Sequence, residues 1–353
     1  MKTFKQILIS CGLILFNIGV NAASKELKVS GNKIVNSSGD TVRLTGVNIQ
    51  GLENNPYGDN TMLAINEAFT NWNSNIIRLT LSQEYWFGYS GSDSTKYRNI
   101  VSQVVQETTD RGKYVILDLH WSDMGVWGQY NAQHKMPDDN SITFWKSVCS
   151  IFGNHPNVLF GLYNEPNSVT WDIWRNGGYI TENNITYHTS GMQAMVQVVR
   201  DAGAKNICVV GGLDWAYDLT GIANGYALVD RNTAGDFTGN GIVYDAHIYP
   251  WKNSWDTYVT CIANSYPILI GECGYLDRGG NEPYQTWTPK LLDWLDAHQC
   301  HWTGWALNPN NGPTLIKDWN FTPTTEWGIY AKAKLLGYSN GKRNEKVLHI
   351  FIF

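Results

Sequence analysis

Two glutamates close apolar runs in this chain: Glu165 in GLYNEPN and Glu272 in ILIGECGY. Paired carboxylates of this kind suit cleavage of a glycosidic bond, where one group protonates the leaving oxygen while the other, ionised, acts on the anomeric carbon. Around them stand groups able to bias those charges. Arg78 in NIIRLTL would favour an ionised carboxylate, and Tyr249 in YDAHIYP could donate a hydrogen bond to one. His120 in VILDLHW, Asn164 beside Glu165, His247 in YDAHIYP and Trp305 in GWALNP also lie at the ends of apolar runs. Taken singly, each has a plainer reading. Asn164-Glu165-Pro166 alone is a strand-ending turn, with proline holding Glu165 extended; Arg78 alone is an ion-pair partner. His120 and His247 with Glu272 could bind zinc, but no HExxH helix accompanies them.

What would gather these residues is a set of eight short runs rich in Val, Ile and Leu. They cover 42–49, 75–81, 114–120, 158–165, 207–213, 242–249, 267–274 and 302–308. Several are apolar at consecutive positions, as in strands covered on both faces of a parallel sheet. Between them the pattern predicts helices over 61–72, 95–111, 142–152, 190–202, 255–263 and 287–298, the third capped by Asn140-Ser141 and the fourth stopped near Gly203. Strand and helix in alternation predict an α/β fold, a single (β/α)8 TIM barrel over residues 23–337. All the candidate residues then fall at the C-terminal ends of strands, around one mouth. A two-domain doubly wound sheet is the alternative. It would want a Gly-rich phosphate loop after the first strand, and Gly46 to Gly51 lacks that spacing.

The composition agrees with a neutral polar ligand. Only 16% of the 353 residues are charged, against 13% aromatic with 16 Trp, and the net charge is −5 without a basic run, which argues against a nucleic-acid partner. Trp121, Trp127 and Trp251 are candidate stacking rings for sugars. Trp171, Trp174, Trp215 and Trp255 are expected in the same strand-end loops. Lys2 and Lys5 before an apolar run from Ile7 to Val20 predict a signal peptide over 1–22, cleaved near Ala22, and so a secreted protein. That run is short for a spanning helix, and no later segment predicts a membrane partner. Past Cys11 five cysteines remain, an odd number, which allows one or two bridges without fixing a pairing. The tail 338–353 matches no element of the pattern.

Taken together and in order, GNHPNVLFGLYNEPN, VILDLHW, NIIRLTL, YDAHIYP, ILIGECGY and GWALNP resemble glycoside hydrolase family 5, over residues from about 40 to 335. The resemblance implies that Glu165 is the acid/base and Glu272 the nucleophile of a retaining, two-step hydrolysis. It implies that Asn164 contacts the sugar 2-hydroxyl, that Arg78 and Tyr249 support the nucleophile, that His120 and His247 line the same subsite, and that Trp305 is a stacking floor. It implies neither metal nor other cofactor, a polysaccharide or oligosaccharide substrate, and a monomer. The strand 8 run WALNPNNGPTLIKDW is similar to the cellulase-like branch. An endo-β-1,4-glucanase is therefore expected, with a β-mannanase or other hemicellulase as the alternative, and a non-catalytic carbohydrate-binding protein as a third reading.

Overall fold

A computed structural model describes residues 26–337. The predicted leader over 1–22 and the tail over 338–353 lie outside the described residues. Eight strands form a closed parallel barrel: β1 (Thr45–Ile49), β2 (Ile76–Ser82), β3 (Tyr114–Trp121), β4 (Val158–Gly161), β5 (Cys208–Gly211), β6 (Ile242–Ile248), β7 (Ile268–Cys273) and β8 (His301–Gly304). Neighbours in sequence are neighbours in space, β5 pairs with β6, and β8 closes onto β1. The expected (β/α)8 architecture is the one observed.

Alternation along each strand sorts the barrel interior into layers, because residues two apart share a face. Ile76, Ile116, Val209, Val243 and Leu269 form the lowest layer, sealed from below by Leu27 and Ile34 of an N-terminal hairpin, Leu27–Ser30 with Lys33–Asn36. Two residues further on, the faces turn polar at Arg78, Asp118 and Asp245, all buried. Two more bring His120 and His247 to the mouth. The opposite faces, such as Ile77, Leu79, Val115 and Leu117, pack against the ring of helices. That ring contains α1 (Thr61–Thr70), α2 (Ser94–Asp110), α3 (Asp139–Phe152), α4 (Gly191–Asp201), α5 (Tyr284–Ala297) and α6 (Gly328–Leu335). In α2 the buried Tyr97, Val101, Val104, Val105 and Thr108 make one stripe, and Asp93 caps its first turn through Lys96 N at 3.0 Å.

Several boundaries differ from the sequence reading. The third helix starts at Asp139, and its cap is Asp138 accepting from Ser141 N at 3.0 Å rather than Asn140-Ser141. The helix expected over 255–263 breaks into a short turn, Trp255–Tyr258, and a 3-10 turn, Thr260–Ile262. After β2 and β4 come a short helix, Gln83–Phe87, and a hairpin, Gly178–Glu182 with Ile185–Thr189, neither visible in the hydrophobic pattern. No bridge joins the described cysteines: Cys149, Cys208, Cys273 and Cys300 are buried thiols and Cys261 is exposed. Among the described residues no helix is long and apolar enough to cross a membrane.

Candidate active site

Strand β4 stops at Gly161, earlier than expected, yet its backbone stays tied into the barrel as far as Asn164, whose N–H donates to Leu119 O at 2.9 Å. Glu165 then takes φ +51°, a left-handed conformation, not the extended one that a following proline favours. The turn persists because its neighbours pin it. Gln133 Nε2 donates to the carbonyls of Asn164 and Glu165 at 2.8 and 3.3 Å, Asn167 Nδ2 to Glu165 O at 3.1 Å, and Trp215 N to Pro166 O at 3.2 Å.

On the other side of the mouth, the pairing of β6 with β7 skips a residue, so that His247 lies opposite Glu272 and not Gly271. Such a bulge re-aims the side chains that follow it. Gly271 is needed at the skip: the Asp245 carboxylate rests where its Cβ would stand, at 2.4 Å, and accepts its N–H at 2.6 Å.

The two glutamates occupy different surroundings. Glu272 is buried, and Arg78 Nη1 donates to its Oε1 at 2.8 Å while Tyr249 OH donates to Oε2 at 2.7 Å. Burial alone would raise its pKa, but His247, Arg78 and His120 outweigh it and hold the carboxyl well below the usual carboxylate range. Glu165 leaves 19% of its side chain exposed and accepts from His247 Nδ1 at 2.9 Å. That imidazole also sits 3.5 Å from Glu272 and 3.4 Å from Asp245. Burial would lower its pKa, yet Glu272 and Asp245 push it up to about 10, so His247 is a cation at neutral pH.

Beneath the pair, Arg78 acts as a four-way fork, donating to Glu272, to Asn48 Oδ1 at 3.1 Å, to Asn164 Oδ1 at 2.7 Å and to Asp118 Oδ2 at 2.9 Å. Asp118 Oδ2 lies 2.8 Å from His120 Nδ1 as well. Asn164 is held from both ends, since its Nδ2 donates to Gln133 Oε1. Trp305 stacks on His120, ring centroids 5.4 Å apart and 11° from parallel.

These groups open into a cavity of about 500 Å³ lined by His120, Gln133, Asn164, Glu165, Trp215, Tyr249, Trp251, Glu272, Arg278 and Trp305, among others. Of the eight residues expected to carry or support the chemistry, Arg78 and His247 lie just beneath it, and Glu165, Glu272, His120, Asn164, Tyr249 and Trp305 line it. Of the candidate rings, Trp251 does so, stacked on Tyr249 at 5.0 Å and covered by the Arg278 guanidinium at 3.7 Å. Trp121 and Trp127 do not line it, a correction; Trp127 packs on Phe87 and Tyr89. Trp174 and Trp255 are core residues, whereas Trp215 is 46% exposed at the rim. Sequence reasoning missed Asn48, Asp118, Gln133, Asp245 and Arg278.

One atom from each of Glu165, His247 and Glu272 lies within 4.8 Å of the others, the one group among the described residues spaced to hold a metal. A cation there would have to share Glu272 with the Arg78 guanidinium at 2.8 Å. The donor set therefore suits a pair of carboxylates between fixed positive charges better than a metal.

Comparison with known proteins agrees in fold and family. Residues 35–311 match the model of the cellulase family, glycosyl hydrolase family 5. An endoglucanase of Paenibacillus polymyxa is 26% identical over 82% of this chain and 82% of its own length. Endoglucanase MaCel5A of a Microbulbifer species is 27% identical over 88% of this chain, which spans 58% of that longer protein. Among solved structures, the beta-glucanase SdGluc5_26A of Saccharophagus degradans superposes with a TM-score of 0.69 at 23% identity, covering 90% of this chain and 94% of that one. The catalytic domain of the Thermobifida fusca endoglucanase Cel5A does so with 0.64 at 18%, covering 88% and 97%.

Proposed function

The chain belongs to the cellulase family, glycosyl hydrolase family 5, and from that premise we propose a retaining endo-β-1,4-glucanase whose two steps run through Glu165 and Glu272. The chain is a glycoside hydrolase; its bond, its stereochemistry and the roles of its residues are the proposal. The observation that carries it is the approach of two carboxylates to within 4.8 Å in unlike surroundings. Retaining enzymes hold the pair roughly 5 to 5.5 Å apart, whereas inverting ones leave roughly 6.5 to 9.5 Å for a water.

In the first step an oxygen of Glu272, kept ionised by Arg78, His247 and Tyr249, attacks the anomeric carbon. Glu165 gives its proton to the departing glycosidic oxygen, and a glycosyl ester forms on Glu272. In the second, Glu165 takes a proton from water, whose oxygen attacks the same carbon and releases Glu272 as a carboxylate. Asn164, clamped between Arg78 and Gln133, presents its amide to the sugar held at this point, and Trp305 gives that sugar an apolar floor. Two inversions restore the starting configuration. The substrate reading is supported by the endoglucanase relatives and by the beta-glucanase neighbour, which has been solved in complex with cellotetraose.

Proton NMR of the fresh products of a β-1,4-gluco-oligosaccharide tests the mechanism: a β reducing end should appear first and mutarotate later. An α end at the outset refutes it. Cleavage of mannan with none of carboxymethyl-cellulose would replace the substrate by that of a β-mannanase. Glu272→Gln should bind oligosaccharide without turning it over, so unchanged turnover would remove the nucleophile. Secretion is part of the same proposal, resting on Lys2, Lys5 and the apolar run to Val20. N-terminal sequencing of the exported protein should begin just past Ala22.

A further inference from the structure

The wall of the cavity above β6 and β7 carries three groups in a stack. Tyr249 and Trp251 follow β6 with their rings 5.0 Å apart and 11° from parallel, and the Arg278 guanidinium, from the loop after β7, lies 3.7 Å from the centre of the Trp251 ring. Two groups that near would collide on one face of an indole, so Tyr249 covers one face and Arg278 the other. Trp251, expected from the sequence to stack on a sugar, therefore has no bare face to offer. What the stack presents to the cavity on the far side of that ring is a cation.

The loop that delivers Arg278 is braced. Asp277 Oδ1 accepts from Gly279 N at 2.8 Å, and Gly279 and Gly280 both take φ +77°, a turn that side chains with a Cβ resist. Its far end is tied back by Asn281 Nδ2 donating to Leu276 O and Tyr275 OH donating to Glu282 O, each at 3.2 Å. The neighbouring charges are already matched. Glu282 pairs with Lys290 Nζ at 2.9 Å, Glu272 with Arg78 at 2.8 Å, and Lys252, the other basic side chain lining the cavity apart from the histidine, with Asp214 at 2.6 Å. Arg278 is exposed and has neither a carboxylate partner nor a hydrogen bond among the described residues; its contact is the indole.

A guanidinium laid flat on a ring keeps its N–H donors in its own plane, around its edge, where a carboxylate can take two of them at once. Hydroxyls alone do not call for such a group. We propose that Arg278 makes the enzyme select acidic polysaccharide, by binding a carboxylate carried on a sugar of the β-linked chain in the cavity, whether on a side arm or at an oxidised primary alcohol. The net charge of −5 repels a polyanion from the molecule as a whole, so a preference for acidic substrate has to come from a local cation of this kind.

The test sets carboxymethyl-cellulose, with carboxylates on side arms, and cellulose oxidised at its primary alcohols, with carboxylates on the chain, against neutral hydroxyethyl-cellulose. The quantity read is the ratio of kcat/KM on each acidic polymer to kcat/KM on the neutral one. Arg278→Gln should lower that ratio about two- to fivefold, as for the loss of one exposed ion pair, and the polymer on which it falls more tells which position of the carboxylate is bound. Arg278→Lys should keep only part of the preference, because an ammonium cannot make the paired bonds. Raising the salt concentration should shrink the ratio in the unaltered protein and not in Arg278→Gln. Ratios that Arg278→Gln leaves unchanged on both acidic polymers overturn the proposal. These rates rest on the glucanase reading above, whereas binding does not. In gels containing each polymer, Glu272→Gln should be retarded more by an acidic polymer than by the neutral one, and the Arg278→Gln double variant should lose that excess, even if the unaltered protein cleaves no glucan. Equal retardation by acidic and neutral polymers overturns the proposal even if the enzyme is a glucanase.

Discussion

Replacing Arg78 by alanine should move the acid limb of the pH–kcat/KM profile toward neutrality and cost several kcal/mol of stability. The guanidinium is 1% exposed and lies 2.8 Å from Glu272 and 2.9 Å from Asp118, both themselves buried. Its own pKa is raised, against burial, by Asp118, Glu272 and Asp245, so the cation is shared by three carboxylates. Removing one partner of a buried pair costs about 3–5 kcal/mol, mostly because the other charge is left uncompensated. Against a total of about 5–15 kcal/mol the variant should still fold, with a midpoint lowered by roughly 10 °C. Glu272 is depressed in the folded state, so its contribution is present above the ordinary value of 4.5 and is lost as pH falls through the lower folded value. The deficit of Arg78→Ala should accordingly be full near pH 7 and narrow below 4.5. Arg78→Lys supplies the control: a point charge keeps much of the depression but cannot serve four acceptors, so Asn164 loses its anchor and the rate falls with little shift of the limb. Urea unfolding at pH 7 and pH 3, with kcat/KM from pH 3 to 9, decides. An acid limb unmoved in Arg78→Ala, or equal deficits at the two pH values, would refute the claim that Arg78 sets the charge of Glu272.

Two further outcomes follow from other groups. Glu165→Ala should slow hydrolysis of ordinary glucans by about 10²–10⁴-fold, yet lose far less in the first step on a dinitrophenyl glycoside, whose leaving group needs no proton; equal losses on the two substrates would count against the acid role. Asp123→Asn should gain on the unaltered protein as pH rises. Burial, then nearby Asp138, pushes Asp123 up to about 8, so the folded state holds a proton that the unfolded state releases above the ordinary 3.8, and stability falls across that window. The variant mimics the protonated acid, and its advantage in urea unfolding should grow from little at pH 5 to about 1 kcal/mol or more at pH 9; parallel curves would refute the shift.

The barrel was legible because its strands, apolar on both faces, stand out as short runs, and because a parallel barrel brings every strand's C-terminal end to one mouth. Given that, Glu165 and Glu272 follow from position. The polar layer under them carried a signal that was available: Asp118 precedes His120 by two residues and Asp245 precedes His247 by two, so each shares its histidine's face in an otherwise apolar strand. A buried acid there is affordable only with a partner, and the partner common to Asp118 and Glu272 is Arg78. Asn48 reads the same way, since it pairs in register with Arg78 on the adjoining strand. Gln133 and Arg278 carried no such signal. They sit on loops whose course depends on hydrogen bonds made far away in sequence, as when Glu182 of the hairpin after β4 accepts from Lys135 N at 3.0 Å and so steadies the segment bearing Gln133. Trp121 shows the same limit from the other side. It ends β3 just past His120, where the mouth should be, but its neighbour in sequence faces inward and it faces away. Position along a strand therefore identifies the polar groups that meet at the mouth, because periodicity aims them. The walls around that mouth are set by loops, and only the folded chain shows where those loops place their rings.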